Sequence, residues 1–355
     1  MLFDSYTNSA ITLANRIAMA PMTRCRADHR DAVPNDLIVA YYRQRAGAGL
    51  IISEGVPVSD RARGYINTPA LWNEAQAAGW QRVTQTVHAA GGRIFAQLWH
   101  CGRVSHAALH ADGSPPAGVS ATVAATQTMI PGPDGGVVPA PCGQPKALSV
   151  EEIKGVVVEF GHAARLAMQA GFDGVEIHGA NGYLLDQFLQ DSTNTRTDAY
   201  GGSIENRARL MLEVADACVG VWGAGRVGMH LAPRGDAHDM GDSDRLATFT
   251  HVARELGRRG IAFIAARENS GPGRIGPQLK AAFGGTWVAN EGLDLASANA
   301  LIAAGEADAA AFGKLFIANP DLPRRFATGA TLNTPDPQTF YAAGPKGYTD
   351  YPPLA

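Results

Sequence analysis

Short apolar runs alternate with amphipathic stretches along nearly the whole chain. Eight of these runs are compact enough to be buried strands, and they occupy residues 16–20, 49–52, 93–99, 174–178, 226–231, 261–265, 286–289 and 308–312. Helical periodicity is found between them, near residues 35–45, 74–90, 150–170, 203–219, 243–259, 294–304 and 320–327. Near-continuous apolar strands alternating with helices indicate a parallel sheet covered by helices. Eight such units are the number that closes a (β/α)8 barrel.

Polar or aromatic side chains stand at the carboxyl end of almost every predicted strand. In chain order they are Thr23, Glu54, Gln97, Trp99, His178, Asn181, His230, Arg267, Glu268, Asn290, Glu291 and Lys314. An open sheet concentrates its ligand-binding groups at one switch point, whereas a barrel collects them from all strands on one rim. The pattern therefore favours a closed α/β barrel.

Two segments depart from the alternation of strands and helices. Residues 2–6 and 11–13 predict an N-terminal β-hairpin. Residues 110–147 are rich in Pro, Gly and Ala, and the sequence predicts a turn at residues 133–136 between two weak strands. A segment this long and this poor in apolar periodicity indicates a functional loop. We therefore expect a single barrel domain over residues 1–355, in which residues 104–148 form a capping loop over the rim.

Composition narrows the class of protein. The 355 residues include 30 basic and 33 acidic side chains, a net charge of -3 without a basic run, so nucleic acid and anionic membranes are poor candidate partners. The four cysteines lack CxxC spacing, which indicates neither a disulfide framework nor a zinc site, and we predict no metal. The first residues lack a cationic start and an apolar run, and no later segment approaches the roughly 18 uninterrupted apolar residues of a membrane helix. We expect a soluble, cytoplasmic protein.

The strongest chemical signal lies in residues 174–188. This stretch begins as an apolar strand and then places His178, Asn181 and Tyr183 within six residues. His178 and Asn181 can both donate hydrogen bonds to one oxygen that becomes negative during a reaction, and the Tyr183 hydroxyl can supply a proton elsewhere. A capped strand end with a buried, hydrogen-bonded histidine is the alternative.

The loops after the seventh and eighth strands are candidate phosphate sites. Residues 290–292 follow the seventh strand, and Gly313 and Lys314 follow the eighth. In barrels these loops frequently bind phosphate through backbone N–H groups, and a lysine adds a positive charge. We therefore predict a phosphate-bearing ligand, and a solvated lysine beside a turn is the alternative. Two matches to the dinucleotide pattern GxGxxG, at residues 223–228 and 271–276, are interpreted as loops, because neither follows a strand in the required context.

Several short motifs are spread along the chain. They are MAPMTR at residues 19–24, QLWH at 97–100, HGANGY at 178–183, RTDAYGG at 196–202, ENR at 205–207, FGK at 312–314, NPD at 319–321 and GYTDYP at 347–352. With these motifs the chain resembles, over essentially its whole length, the Old Yellow Enzyme family of FMN-dependent ene reductases. The resemblance implies a (β/α)8 barrel with a hairpin across its bottom and with FMN bound tightly, without a covalent link, on the upper rim.

The resemblance also implies roles for individual residues. Thr23 would hydrogen-bond the flavin near its C4 carbonyl, and Gln97 and the backbone at Gly55 would meet its pyrimidine edge. The full set of implied FMN contacts is Ala20, Pro21, Met22, Thr23, Gly55, Gln97, His230, Asn290, Glu291, Gly292, Gly313 and Lys314. The implied substrate pocket is lined by Tyr65, Trp99 and Tyr341.

By the same resemblance, NADPH or NADH reduces FMN, and the enzyme then reduces the C=C bond of an α,β-unsaturated carbonyl or nitro compound. His178 and Asn181 would polarise the acceptor oxygen, and Tyr183 would protonate the α carbon. The partners would then be a small enone or nitroalkene and a nicotinamide cofactor. Nitro-ester reduction or a redox-neutral isomerisation on the same flavin barrel, and a flavin-free barrel that binds a phosphorylated metabolite, remain alternatives.

Two residues depart from the family pattern. His230 stands where the family usually has an arginine beside the flavin N1 and C2 carbonyl, and Lys314 stands in place of the phosphate arginine. Lysine keeps the charge but loses the bidentate fork of a guanidinium. A histidine with an ordinary pKa of about 6.5 is expected to be mostly neutral above pH 7 and to carry its charge near pH 6.

Overall fold

A closed barrel of eight parallel strands forms the centre of the computed structural model, which describes residues 1–355. The strands are Ile17–Met19, Leu50–Pro57, Ile94–Trp99, Gly174–Gly179, Val227–Leu231, Phe263–Arg267, Thr286–Asn290 and Ala309–Phe312. The barrel closes where the last strand pairs with the first, with Phe312 opposite Met19. The predicted fold class and all eight predicted strands are confirmed.

Ten α-helices pack around the barrel or connect its strands. They are Asp36–Gln44, Glu74–Ala89, Val150–Gln169, Leu184–Leu189, Ile204–Trp222, Arg245–Arg259, Gly276–Phe283, Leu295–Ala303, Lys314–Ala318 and Leu322–Thr328. Single 3₁₀ turns occupy Asp60–Ala62, Ala107–Leu109, Ala224–Arg226, Ala237–Asp239 and Pro337–Thr339. None of the helices is long and apolar enough to cross a bilayer. The helices of six and five residues after the fourth and eighth strands were not predicted, because they are too short to show a periodicity.

The interior of the barrel is filled by small aliphatic side chains and two phenylalanines. Phe95 and Phe263 face each other across it with their ring centroids 5.8 Å apart. Alanines at positions 18, 265 and 311 belong to the same buried cluster. Residues at the alternate strand positions face outward and join the larger core beneath the helices. The packed interior therefore leaves open space only toward the ends of the strands.

The N-terminal hairpin closes the bottom of the barrel. Its two strands are Tyr6–Thr7 and Thr12–Leu13, which pair antiparallel. Ile11 and Leu13 join the cluster inside the barrel. The Tyr6 hydroxyl lies 3.1 Å from Oγ1 of Thr286, the first residue of the seventh strand. The hairpin thus lies at the amino ends of the strands, as the resemblance implied.

The long excursion after the third strand contains two small sheets. Ala117–Gly118 pairs with Lys146–Ala147, and Gln127–Pro131 forms an antiparallel hairpin with Val137–Pro141. The turn and the two weak strands that the sequence predicted here are confirmed. The Thr128 hydroxyl donates to the carbonyl of Gly64 and ties this hairpin to the rim.

The C-terminal segment crosses the upper rim and is held by two arginines that follow the first strand. Arg24 donates to the carbonyls of Phe340 and Gly347, at 3.0 and 2.8 Å. Arg26 donates to the carbonyls of Thr339 and Phe340, at 2.8 and 2.7 Å. Both guanidinium side chains are almost fully buried. The hydrogen bonds of the two arginines thus hold the backbone of the segment, and the buried ring of Tyr348, stacked on Tyr41 at 4.1 Å, adds a side-chain anchor.

Candidate active site

A cavity of about 1200 Å³ opens at the carboxyl end of the barrel strands. This volume exceeds that of an ordinary small-molecule pocket and leaves room for a cofactor together with a substrate. The structure brings fifteen of the eighteen sequence-predicted site residues to its lining, namely Ala20, Pro21, Met22, Thr23, Tyr65, His178, Asn181, Tyr183, His230, Asn290, Glu291, Gly292, Gly313, Lys314 and Tyr341. Residues of the hairpin after the third strand, among them Thr128 and Val137, line it from above.

The other three predicted residues, Gly55, Gln97 and Trp99, lie behind the lining. The indole of Trp99 covers Gly55, where an added Cβ would lie 2.6 Å from the ring, so only glycine fits there. Trp99 is 2% exposed, and its ring stacks on that of Tyr65 at 5.5 Å. Trp99 thus lies directly behind the lining residues Tyr65 and Tyr183, with ring centroids 5.5 and 4.8 Å away, and its part in the substrate pocket stays a prediction. Gln97 is turned toward a neighbouring strand.

His178 ends the fourth strand as a neutral donor. Burial lowers the pKa of His178 well below its ordinary value, with a further contribution from the nearby His230. Its Nδ1 accepts a long hydrogen bond of 3.4 Å from the backbone N–H of Ala180, which favours the tautomer with the ring proton on Nε2. The imidazole can therefore donate one hydrogen bond through Nε2.

Asn181 stands in the tight turn between the fourth strand and the following helix. Its backbone is left-handed, with a φ of 58°, a conformation that asparagine tolerates better than most residues. The carbonyl of Asn181 accepts a hydrogen bond from Nδ1 of His238 at 2.8 Å. The turn thus brings the amide side chain to the same cavity as His178.

Tyr183 and Tyr65 form a hydroxyl pair at the cavity wall. The two hydroxyl oxygens lie 2.9 Å apart, and either can be the donor. The ring of Tyr183 stands perpendicular to that of His178, with centroids 5.0 Å apart. Burial raises the pKa of Tyr183 well above its ordinary value, as does the neighbouring Tyr65. Tyr183 therefore holds its proton at neutral pH.

A buried polar cluster lies below this wall, on the third, fourth and fifth strands. Gln97 Nε2 donates to Glu176 Oε2 at 2.7 Å, while Glu176 Oε1 and His230 Nδ1 have no hydrogen-bond partner. Burial raises the pKa of Glu176 to about 8. Burial, and then the charge of Arg267, lower the pKa of His230 to about 4. The expectation that His230 carries its charge near pH 6 is therefore wrong, because this imidazole is enclosed and faces a cation.

Arg267 was noted in the sequence as a strand-end residue but was given no role. It ends the sixth strand, and its guanidinium donates from Nη1 to Asn181 Oδ1 at 3.0 Å and from Nε to the carboxylate of Glu291. The period-two alternation of Phe263, Ala265 and Arg267 places it on the inward side of the barrel. That alternation is the signal that could have identified it.

The loops after the seventh and eighth strands meet at the far part of the cavity. Glu291 has a φ of 99° and Gly292 one of 66°, so the backbone folds back sharply there. Asn290 Nδ2 donates to the carbonyl of Ala311 on the eighth strand at 3.0 Å. The Glu291 carboxylate pairs with Arg267. An anion can therefore approach the backbone of this loop without meeting the acidic side chain. Lys314 is exposed at the same cavity.

Residues 1–333 match the family described as NADH:flavin oxidoreductase / NADH oxidase. The chain belongs to this family. It is 41% identical over 364 residues to 12-oxophytodienoate reductase 1 of Oryza sativa subsp. japonica, with 99% of this chain and 92% of that protein covered. The match confirms the resemblance to the Old Yellow Enzyme family, and with it an oxidoreductase whose family implies FMN.

Two solved structures are similar to the chain along its length. A structure of morphinone reductase in complex with tetrahydroNAD has a TM-score of 0.97 and 47% identity, and the match covers 100% of this chain and 98% of that one. The old yellow enzyme homologue from Zymomonas mobilis has a TM-score of 0.94 and 41% identity, with 99% of both chains covered. The barrel of this protein is thus the fold of flavin oxidoreductases of known structure.

The residues of the cavity fit FMN. One part of the lining offers hydrogen-bonding side chains for a heteroaromatic ring, including Thr23 and His230. Another part offers the backbone of residues 290–292 with the cation of Lys314 for a phosphate. Both parts belong to one cavity of sufficient volume.

Proposed function

We propose that the protein is an FMN-dependent ene reductase, which uses NADPH or NADH to reduce the C=C bond of α,β-unsaturated carbonyl or nitro compounds. One observation carries the proposal. His178, Asn181 and Tyr183 face one cavity that also contains the loops suited to a phosphate. The names of the relatives support it, since they are reductases of 12-oxophytodienoate and of morphinone.

His178 and Asn181 act as paired donors to the acceptor oxygen. The neutral imidazole donates from Nε2, because its Nδ1 accepts from Ala180. The amide of Asn181 donates from Nδ2, because its Oδ1 accepts from Arg267. Two such donors withdraw electron density from the conjugated system and stabilise the negative charge that develops on the oxygen. The chemistry that bound FMN would supply is hydride transfer, from the nicotinamide to the β carbon of the substrate.

Tyr183 supplies the proton that completes the saturation of the double bond. Its raised pKa keeps the hydroxyl protonated until a strongly basic carbon develops beside it. The Tyr65 hydroxyl, 2.9 Å away, can then donate to the phenolate oxygen and so lower the cost of proton release. The hairpin of strands Gln127–Pro131 and Val137–Pro141 contributes Thr128 and Val137 to the cavity wall and would restrict the entry of water.

The chain's own residues would also hold the cofactor. Residues 20–23, which follow the first strand and line the cavity, would contact the flavin ring, and Thr23 is the polar residue among them. The backbone of residues 290–292 and of Gly313 would donate N–H groups to the phosphate, and Lys314 would add a charge.

Absorbance spectra of the purified protein test this proposal. We expect a yellow protein whose visible flavin band is bleached anaerobically by NADPH or NADH and restored by 2-cyclohexenone, with cyclohexanone as the product. Protein that stays colourless after incubation with FMN contradicts the cofactor assignment. Protein that is yellow and bleached by the nicotinamide, but reoxidised by neither 2-cyclohexenone nor a nitroalkene, contradicts the reaction.

A further inference from the structure

We propose that Arg267 is a positioning residue that holds the Asn181 side chain in the one orientation in which its amide N–H groups face the acceptor oxygen. The inference deepens the proposed function and rests on it, since it takes Asn181 to be a hydrogen-bond donor to the substrate. It assigns a role to a side chain on the sixth strand, away from the fourth-strand motif that carries the proposed donors.

The guanidinium bridges two loops of the rim. Its Nη1 donates to Asn181 Oδ1 at 3.0 Å, and its Nε donates to the carboxylate of Glu291, which follows the seventh strand. The planar fork of an arginine can hold both contacts at once with little remaining freedom. Glu291, whose backbone φ of 99° is unusual for a residue with a side chain, thus anchors the arginine from the opposite side.

The contact with Arg267 settles which end of the Asn181 amide faces the cavity. The oxygen and nitrogen of an asparagine amide are nearly equal in size, so packing alone does not distinguish the two orientations. An arginine can only donate hydrogen bonds, so it must face Oδ1. The Nδ2 group then points away from Arg267, and no protein group hydrogen-bonds it. A flipped amide would present an acceptor to the substrate oxygen, which would repel it.

The main chain at Asn181 is fixed by other contacts. Its carbonyl accepts from His238 Nδ1 at 2.8 Å, and the next N–H, that of Gly182, donates to Asp186 Oδ2 at 2.8 Å. His178 is oriented separately, by the N–H of Ala180. Removal of the Arg267 guanidinium should therefore release the Asn181 side chain while the backbone turn and the second donor stay in place.

The test measures the affinity of the FMN-loaded protein for p-chlorophenol, by titration of the long-wavelength charge-transfer absorbance. Arg267→Met keeps the length and apolar stem of the side chain but removes its donors. We expect Arg267→Met to weaken binding roughly two- to tenfold: sharing of the population with the flipped amide accounts for about twofold, and other rotamers of the released Asn181 side chain account for any further loss. Arg267→Lys should lose less, since an ammonium can still donate to Oδ1 without the fork.

A double-mutant cycle separates positioning from a direct effect of the charge. In an Asn181→Ala background, Arg267→Met should have no further effect on the affinity for p-chlorophenol. The matched control is Arg234→Met, which removes a partly buried arginine near Glu268 that does not contact Asn181. FMN content and melting temperature are measured for every variant, so that a folding defect is recognised, and Arg267→Lys serves if Arg267→Met does not fold.

Two results would overturn the positioning role. The first is wild-type affinity in both Arg267 variants. The second is an equal loss of affinity with and without Asn181, which would mean that the guanidinium acts on the ligand directly. If the wild-type protein forms no charge-transfer band with p-chlorophenol, the proposed function fails rather than the role of Arg267.

Discussion

Nδ1 of His230 lies 3.8 Å from Oε2 of Glu176, and the two groups are enclosed together without a hydrogen bond between them. With the pKa of Glu176 at about 8 and that of His230 at about 4, both side chains are neutral at pH 7. An arginine at position 230 would place a cation beside this carboxyl group and cause it to ionise. The usual family arginine at this position would therefore be largely neutralised here by its neighbour.

The FMN midpoint potential tests this coupling. His230→Arg alone should raise the potential only slightly, because the Glu176 carboxylate offsets the new charge. His230→Arg combined with Glu176→Gln leaves the guanidinium uncompensated and should raise the potential by roughly 30 to 60 mV, the equivalent of one charge-assisted hydrogen bond to the reduced state. Redox titration of the wild type, both single variants and the double variant at pH 7 provides the measurement.

The control is Glu176→Gln alone, which replaces a neutral acid by a neutral amide and should leave the potential nearly unchanged at pH 7. Since His230 is neutral well above its pKa of about 4, the shifts should also be alike at pH 6 and pH 7. Equal shifts for His230→Arg and for the double variant would show that Glu176 does not ionise in response.

Stability should depend on pH through Glu176. Its pKa is about 8 in the folded protein and ordinarily 4.5, so between these values the folded state binds a proton that the unfolded state does not. The favourable contribution is complete below pH 4.5 and is lost as the pH rises through 8. This dependence amounts to up to about 1.4 kcal/mol of unfolding free energy per pH unit, and Glu176→Gln should remove it. Urea unfolding of both proteins at pH 6 and pH 8.5, with saturating FMN, measures it.

The wild type should therefore lose more stability than Glu176→Gln over that interval. Asp186 and Glu54 also have pKa values raised to about 7 by burial, but they are present in both proteins, so only the difference between the two is informative. Parallel pH profiles of the two proteins would show that Glu176 is ionised in the native state.

Tyr183→Phe should leave reduction of the flavin by the nicotinamide unchanged and slow the reduction of 2-cyclohexenone by about 100- to 10,000-fold, since only the second half-reaction needs the proton. Tyr65→Phe should slow the same step by no more than about tenfold, because it removes one hydrogen bond to the phenolate and not the proton itself. Stopped-flow spectra of each half-reaction are the measurement. Alkene reduction at the wild-type rate in Tyr183→Phe would transfer the proton-donor role to another group, such as water.

His178→Ala and Asn181→Ala should each weaken the binding of p-chlorophenol and slow alkene reduction by about 100-fold, the usual cost of on the order of 3 kcal/mol for one such donor. Each variant retains the other donor, which is oriented independently. A double variant that still bound the phenol with wild-type affinity would show that the two side chains do not share one oxygen.

The sequence predicted the barrel because eight apolar strands of a parallel sheet can be read from local patterns, and it predicted most of the rim because the carboxyl ends of those strands must converge. The sequence did not predict which side chains become hydrogen-bond partners across strands. That Gln97 donates to Glu176, or that Arg267 reaches both Asn181 and Glu291, depends on register and rotamer. The neutral state of Glu176 likewise depends on burial by residues far away in the chain.

The two arginines that hold the C-terminal segment form hydrogen bonds only to its carbonyl oxygens, which every residue possesses, and both also lie over the ring of Tyr348. Replacement of the exposed side chains between residues 341 and 346 would therefore leave the path of this wall unchanged while it alters what the wall presents. Tyr341, at the cavity and 69% exposed, lies within that stretch. The wall is thus a place where evolution or an engineer can retune substrate preference with little loss of the scaffold.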